Sequence, residues 1–212
     1  MNPNETDSYV TIAAPLRARE LKERSSRFIA DLIPVSSKEE ADDHLERIRK
    51  EFYDATHHCY AYRLGIRGEL TRAADDGEPS GTAGKPILQV LAGAGLTNIL
   101  CVVTRYFGGT KLGTGGLVRS YSEAASSAVA HSQRTEILLL RQFEIVCSYD
   151  LHSALERFLA KYEIAARSAE FGENITVRVS VRKGIASSFK ADLEAAFYGT
   201  VLISEVDAES EV

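Results

Sequence analysis

Tryptophan is absent from this chain of 212 residues, methionine occurs once, cysteine three times and proline five times. The three cysteines, Cys59, Cys101 and Cys147, are odd in number, far apart and never in a Cys-x-x-Cys pair. That spacing speaks against a disulfide framework or a structural zinc site and leaves reduced core thiols as the expectation. No apolar run approaches the ~20 residues that a membrane helix needs. The opening MNPNETDSYV has no basic stretch followed by an apolar one, so no signal peptide is expected and the protein is placed in the cytoplasm. Low-complexity segments are missing as well: 44% of residues are hydrophobic and 26% charged, the composition of a chain that folds by itself. Nor is positive charge in excess. The net charge of −5 weakens any claim of tight, unaided binding to nucleic acid through phosphate neutralisation. Residues 1–135 carry 17 basic and 17 acidic side chains, whereas residues 136–212 carry 8 and 13, so an anionic ligand belongs with the first part.

The length allows one large domain or two small ones, and the pattern along the chain favours two, at 1–135 and 136–212. Residues 8 to 35 read as two extended segments, SYVTIAAPL and SRFIADLIPV, separated by the charged RARELKERS and able to form a hairpin. Ser37 followed three residues later by Glu40 is a capping box, and Ala41, Leu45, Ile48 and Phe52 recur at helical spacing, which predicts a helix from about Lys38 to Phe52. Alternation from Cys59 to Ile66 predicts a strand, and a second short one follows around Glu69 to Ala73. A helix then accommodates Pro86 in its first turn and stops at Gly95. Asn98 to Tyr106 is nearly all apolar, as in a central strand covered on both faces. Leu117 to about His131 reads as the last helix of this domain. After the polar break SQRTE, Ser132 to Glu136, the order is strand, helix capped by Asp150, two strands meeting near Gly172 to Asn174, helix and strand. That βαββαβ order predicts a ferredoxin-like sandwich, so the fold class is α+β in two domains. The acidic tail from Asp207 is expected to fray.

Glycine is what the chain spends heavily, in DDGEPSGTAGKP and FGGTKLGTGGLVRSY on either side of the strand ILCVVTRY. Each glycine costs folding entropy, so a cluster marks tight turns or close approach to the main chain. Gly108, Gly109, Gly113, Gly115 and Gly116 lie where a strand runs into a helix, and there free N–H groups meet the positive end of a helix dipole. Arg105 and Tyr106 precede the loop, Lys111 sits within it, and Arg119 follows in the helix. This is anion-binding chemistry for a phosphate or carboxylate, although neither GxxxxGK[ST] nor GxGxxG is present. The same glycines are equally the signature of a tight turn that lets the helix pack on the sheet.

Asp75, Asp76 and Glu78 can hold Mg²⁺ beside a phosphate, or can form a solvated turn in which an aspartate caps a helix. Ser80 and Thr82 read as turn and cap, since no GxSxG elbow surrounds them. His57 and Cys59 share one strand face, which suits either a metal half-site or nucleophilic pair or an ordinary core strand beside His58. No later histidine or cysteine has partner spacing.

TRYFGGTKLGTGGLVRSYSEA, preceded by DDGEPSGTAGKP and HHCYAYRLG, resembles the YigZ/IMPACT family. The resemblance covers most of residues 15 to 130, and the remainder is similar to the extra C-terminal domain of bacterial members. It implies a first domain like the second domain of ribosomal protein S5 and domain four of elongation factor G, with a left-handed crossover that departs from the usual right-handed rule. The second domain would resemble domain five of that factor. Eukaryotic members regulate translation by competing for the activator of a stress kinase, using an additional RWD domain; no such domain is expected here. The family's characteristic positions fall on His57, Cys59, Asp76, Gly77, Glu78, Pro79, Gly81, Thr82, Gly84, Arg105, Tyr106, the loop glycines, Lys111 and Arg119. The expectation is a non-enzymatic, cofactor-free protein that binds RNA, the ribosome or a translation-associated protein through the Arg105 to Arg119 face. The competing expectation is a Mg²⁺-dependent enzyme on a small phosphorylated metabolite, which needs the acidic turn and the glycine loop across one cleft.

Overall fold

The computed structural model describes residues 7–206; the acidic tail lies outside the described residues. The described chain divides into two compact units, residues 9–137 and residues 138–206 with residues 7 and 8. Both are α+β units built on antiparallel sheets.

The first unit opens with β1 (Ser8–Ile12), β2 (Leu16–Arg17), β3 (Leu21–Glu23) and β4 (Ser26–Pro34). The expected hairpin forms only in part: β2 and β3 pair with β4, whereas β1 pairs with β8 (Arg134–Leu138). That strand occupies most of the stretch read as a polar break, because β1 offers its main chain as a partner and cross-strand context overrides polar composition. Helix α1 (Lys38–Glu51) begins as the capping box predicts, with the Glu40 N–H donating to Ser37 Oγ at 3.1 Å. The Glu40 carboxylate reaches back to the Ser36 N–H instead of that of Ser37, at 2.7 Å.

Strands β5 (His57–Leu64), β6 (Leu70–Ala74) and β7 (Ile99–Tyr106) complete a six-stranded sheet in the order β2-β4-β7-β5-β6, with β3 also on β4. Because β7 is central, its side chains alternate between two buried faces. Leu100 and Val102 meet α1, while Cys101 and Val103 meet α2 (Gly84–Gly93) and α3 (Gly113–His131). Phe28 and Tyr121 pack edge to face at 5.2 Å under α3, both fully buried. Each large side chain so placed contributes ~1.5–3 kcal/mol through burial. Gly95 has φ +70 just past α2, as a left-handed stop requires.

The second unit contains β9 (Leu140–Cys147), α4 (Tyr149–Leu159), β10 (Ile164–Phe171), β11 (Ile175–Arg182), α5 (Lys183–Phe197) and β12 (Leu202–Val206). Its sheet order, β10-β11-β9-β12, is that of the ferredoxin-like sandwich. The cap of α4 is Ser148, and Asp150 falls inside its first turn. Phe143, Phe158, Phe189 and Phe197 form much of its core.

Candidate functional site

Arg105 is the seventh residue of β7, and the strand period turns it toward α3 with Cys101 and Val103. It does not stand free beside the loop as expected. Only 4% of it is exposed; its Nη1 donates to Glu78 Oε1 at 2.5 Å and its Nη2 to Ser26 Oγ at 3.3 Å. The guanidinium carbon sits 5.4 Å from the Phe28 ring centre and 5.5 Å from that of Phe107. Its Nε is buried without a hydrogen-bond partner. Glu78, 9% exposed, also accepts from the Tyr121 hydroxyl at 2.7 Å, again on Oε1. Tyr121 in turn lies 3.3 Å from Cys59 Sγ.

The first two amides of the loop are consumed internally, which corrects the expectation that they all look outward. Phe107 N–H donates to Thr56 Oγ1 at 3.0 Å and Gly108 N–H to Ser26 Oγ at 3.2 Å. A Cβ on Gly108 would lie 2.0 Å from the Ser25 carbonyl carbon, so glycine there serves close packing. Farther on the geometry changes. Leu112 is in the right-handed region (φ −82, ψ −22) and Gly113 has φ +73, an alternation that turns successive N–H groups toward one point. Helix α3 starts one turn earlier than its hydrophobic pattern indicates. Its N-terminal N–H groups have no side-chain cap, and no acidic residue lies in the first turn. A cavity of about 330 Å³ opens there, lined among others by Glu78, Arg105, Phe107, Lys111, Gly113 and Thr114.

The cavity therefore gathers Arg105, Glu78, Lys111 and Gly113 from the sequence-selected residues. Tyr106 is not among them: alternation sends it to the opposite face of the sheet, where it donates to Asp54 Oδ1 at 2.9 Å and stacks under Arg27 at 4.4 Å. Thr82 is buried and closes a turn onto Pro79 O at 2.6 Å. Gly109 (φ +83) lies in the loop, Gly115 and Gly116 in the first turn of α3, and Arg119 is exposed in its second turn. Phe107 and Thr114 were not selected from sequence. An aromatic between a strand end and a glycine pair was the available signal for Phe107, which is 46% exposed.

The acidic turn serves the fold. The Asp75 carboxylate accepts from the N–H groups of Gly81, Ala83 and Gly84 at 2.8 to 3.0 Å and so caps α2 at a distance. Burial raises its pKa, and the three amides together outweigh that and hold it below the ordinary 3.8. Asp76 accepts from the His58 N–H at 2.7 Å and from Arg49 at 3.2 Å. With Glu78 held by Arg105 and Tyr121, all three carboxylates have internal partners. Among the described residues, no group of three or more His, Cys, Asp or Glu side chains is placed to hold a metal ion. His57 receives its position from Asp76 O, to which Nδ1–H donates at 2.8 Å, leaving Nε2 3.9 Å from Glu78 Oε1. Burial pushes the Cys59 thiol up to about 12, which keeps it protonated and a poor nucleophile at neutral pH. No helix among the described residues is long and apolar enough to cross a membrane.

Comparison with known proteins agrees with this architecture. The Impact N-terminal domain matches residues 24–129, and a domain of unknown function, DUF1949, matches residues 145–200. IMPACT family member YvyE of Bacillus subtilis is 37% identical over 86% of this chain and 83% of its own length. IMPACT family member YigZ of Escherichia coli is 32% identical over 95% of this chain and 99% of its own. The crystal structure of a hypothetical protein superimposes with a TM-score of 0.66 at 31% identity, covering 97% of this chain and all of that one. With two relatives matched across 83% and 99% of their lengths and the glycine-rich strand-to-helix turn inside the first matched domain, this chain belongs to the IMPACT family.

Proposed function

We propose that this protein is a binding module acting in translation or its regulation, and that it holds RNA phosphate at the start of α3. The observation that carries this reading is the uncapped Leu112–Gly113 turn, with no carboxylate in the first helical turn, opening on a cavity that the exposed Lys111 also lines. The balanced charge of residues 1–135 supports it, since phosphate would meet no net repulsion from that part of the chain. So does the resemblance of both domains to parts of the translation machinery, which is analogy and adds to the site without replacing it. Arg119, exposed one turn along α3, extends the contact along the backbone of the RNA.

The test is fluorescence anisotropy with a short labelled single-stranded RNA across a salt series. Lys111→Ala is expected to weaken binding on all sequences alike and to flatten the slope of log affinity against log salt by about 0.7, one single-strand phosphate contact. Lys38→Ala, on α1 at the opposite face of the sheet, should leave both unchanged. Absence of salt-dependent binding by the full chain removes the RNA reading, and co-sedimentation with ribosomes in that case moves the contact to a ribosomal protein.

A further inference from the structure

We infer that the cavity at the start of α3 is a discrete pocket for a nucleoside monophosphate, either free or as the phosphorylated end of an RNA. This rests on the anion-binding reading of the same turn and goes further by naming what occupies it.

A surface that only tracks a phosphodiester backbone needs a groove, and nothing in its task calls for a walled cavity or a buried side chain. Here the turn opens into about 330 Å³, at the small end of the ~300–1,000 Å³ usual for ligand pockets. One wall is Arg105, which is only 4% exposed. Its guanidinium is anchored by Glu78 and Ser26, which fixes a positive charge in that wall. The opposite chemistry is present too. Both hydrogen bonds to Glu78 fall on Oε1, which leaves the other oxygen of a cavity-lining carboxylate for a hydroxyl donor. Phe107 lines the cavity with a ring that is 46% exposed.

These features match the three parts of a nucleotide. The Leu112–Thr114 amides and Lys111 suit a terminal phosphate, which carries more charge than a diester. The Glu78 oxygen suits a sugar hydroxyl. The Phe107 face suits a base, which it would stack on with little regard to identity. Inorganic phosphate alone would leave the ring and the carboxylate unused.

The experiment is isothermal titration of the full chain with AMP, UMP, adenosine and inorganic phosphate, together with anisotropy of one RNA bearing either a 5′-phosphate or a 5′-hydroxyl. Both monophosphates are expected to bind at least tenfold more tightly than adenosine or phosphate, and the phosphorylated RNA tenfold more tightly than its hydroxyl form. Phe107→Ala should erase the preference for AMP over phosphate, and Lys111→Ala should weaken both monophosphates about tenfold; both side chains are exposed, so the fold tolerates either change. Equal binding of the two RNAs with no mononucleotide binding overturns the pocket while leaving RNA binding in place. Loss of every interaction overturns both.

Discussion

At the scale of single residues, the Arg105–Glu78 pair decides how this site is built. Two charges in a wall with 4% and 9% exposure are costly to bury, and their mutual hydrogen bonding is what makes that burial tolerable. Glu78→Ala strands the guanidinium and is expected to cost ~3–5 kcal/mol in urea unfolding. Joint replacement, Arg105→Met with Glu78→Leu, should recover most of that; a double variant as unstable as the single one would mean the pair is held for its shape alone. Cys59 makes a second case. Fully buried and protonated, it should not react with Ellman's reagent in the native state of a Cys101→Ala, Cys147→Ala chain, and labelling should begin only as urea unfolds the first unit. Rapid native labelling would place it in an accessible, ionised setting and revive the nucleophilic reading. Sequence reveals little at this scale. A period of two puts His57 and Cys59 on one face, yet nothing in spacing shows that Glu78 and Arg105, 27 positions apart, will meet.

At the scale of elements, glycines that look alike in sequence separate by what surrounds them. Gly108 is pressed against the Ser25–Ser26 backbone, so Gly108→Ala must move main chain and should lower stability measurably. A Cβ on Gly115 would touch nothing within 4 Å, and its φ is not positive. Gly115→Ala is therefore expected to stabilise the fold by about 0.5–1 kcal/mol through helix propensity. Asp75 ties the acidic turn to α2, and its depressed pKa fixes the sign of a pH effect. The unfolded chain binds a proton at Asp75 more readily than the folded one, so its stabilisation is present above the ordinary 3.8 and fades as pH falls through the lower folded value. Asp75→Asn should destabilise at pH 7, and its deficit against the parent chain should shrink as the buffer is taken toward pH 2. A deficit independent of pH would assign the effect to shape. Periodic elements were legible: α1, β7 and the whole βαββαβ order follow from hydrophobic spacing. The strand β8 was not, because its partner β1 lies at the other end of the unit, and the start of α3 was not, because a glycine-rich first turn carries no apolar period.

At the scale of the whole molecule, the two units have separate cores and unequal charge. Residues 9–137 carry 17 basic and 16 acidic groups, leaving 8 basic and 14 acidic groups to the remainder. Every residue lining the cavity at α3 belongs to the first unit, so a fragment of residues 1–137 should unfold cooperatively and keep RNA binding. Removing the acidic remainder also removes a repulsive field that acts on a polyanion from a distance. Exposed charges interact over ~10 Å at 0.1 M salt and ~30 Å at 0.01 M, which ties the consequence to ionic strength. The fragment is expected to associate with RNA faster than the full chain at low salt, with the two rates converging as salt rises, measured by stopped-flow anisotropy. A fragment slower than the full chain at every salt concentration would mean that the ferredoxin-like unit supplies part of the RNA contact despite its charge, and the binding face would then have to include it.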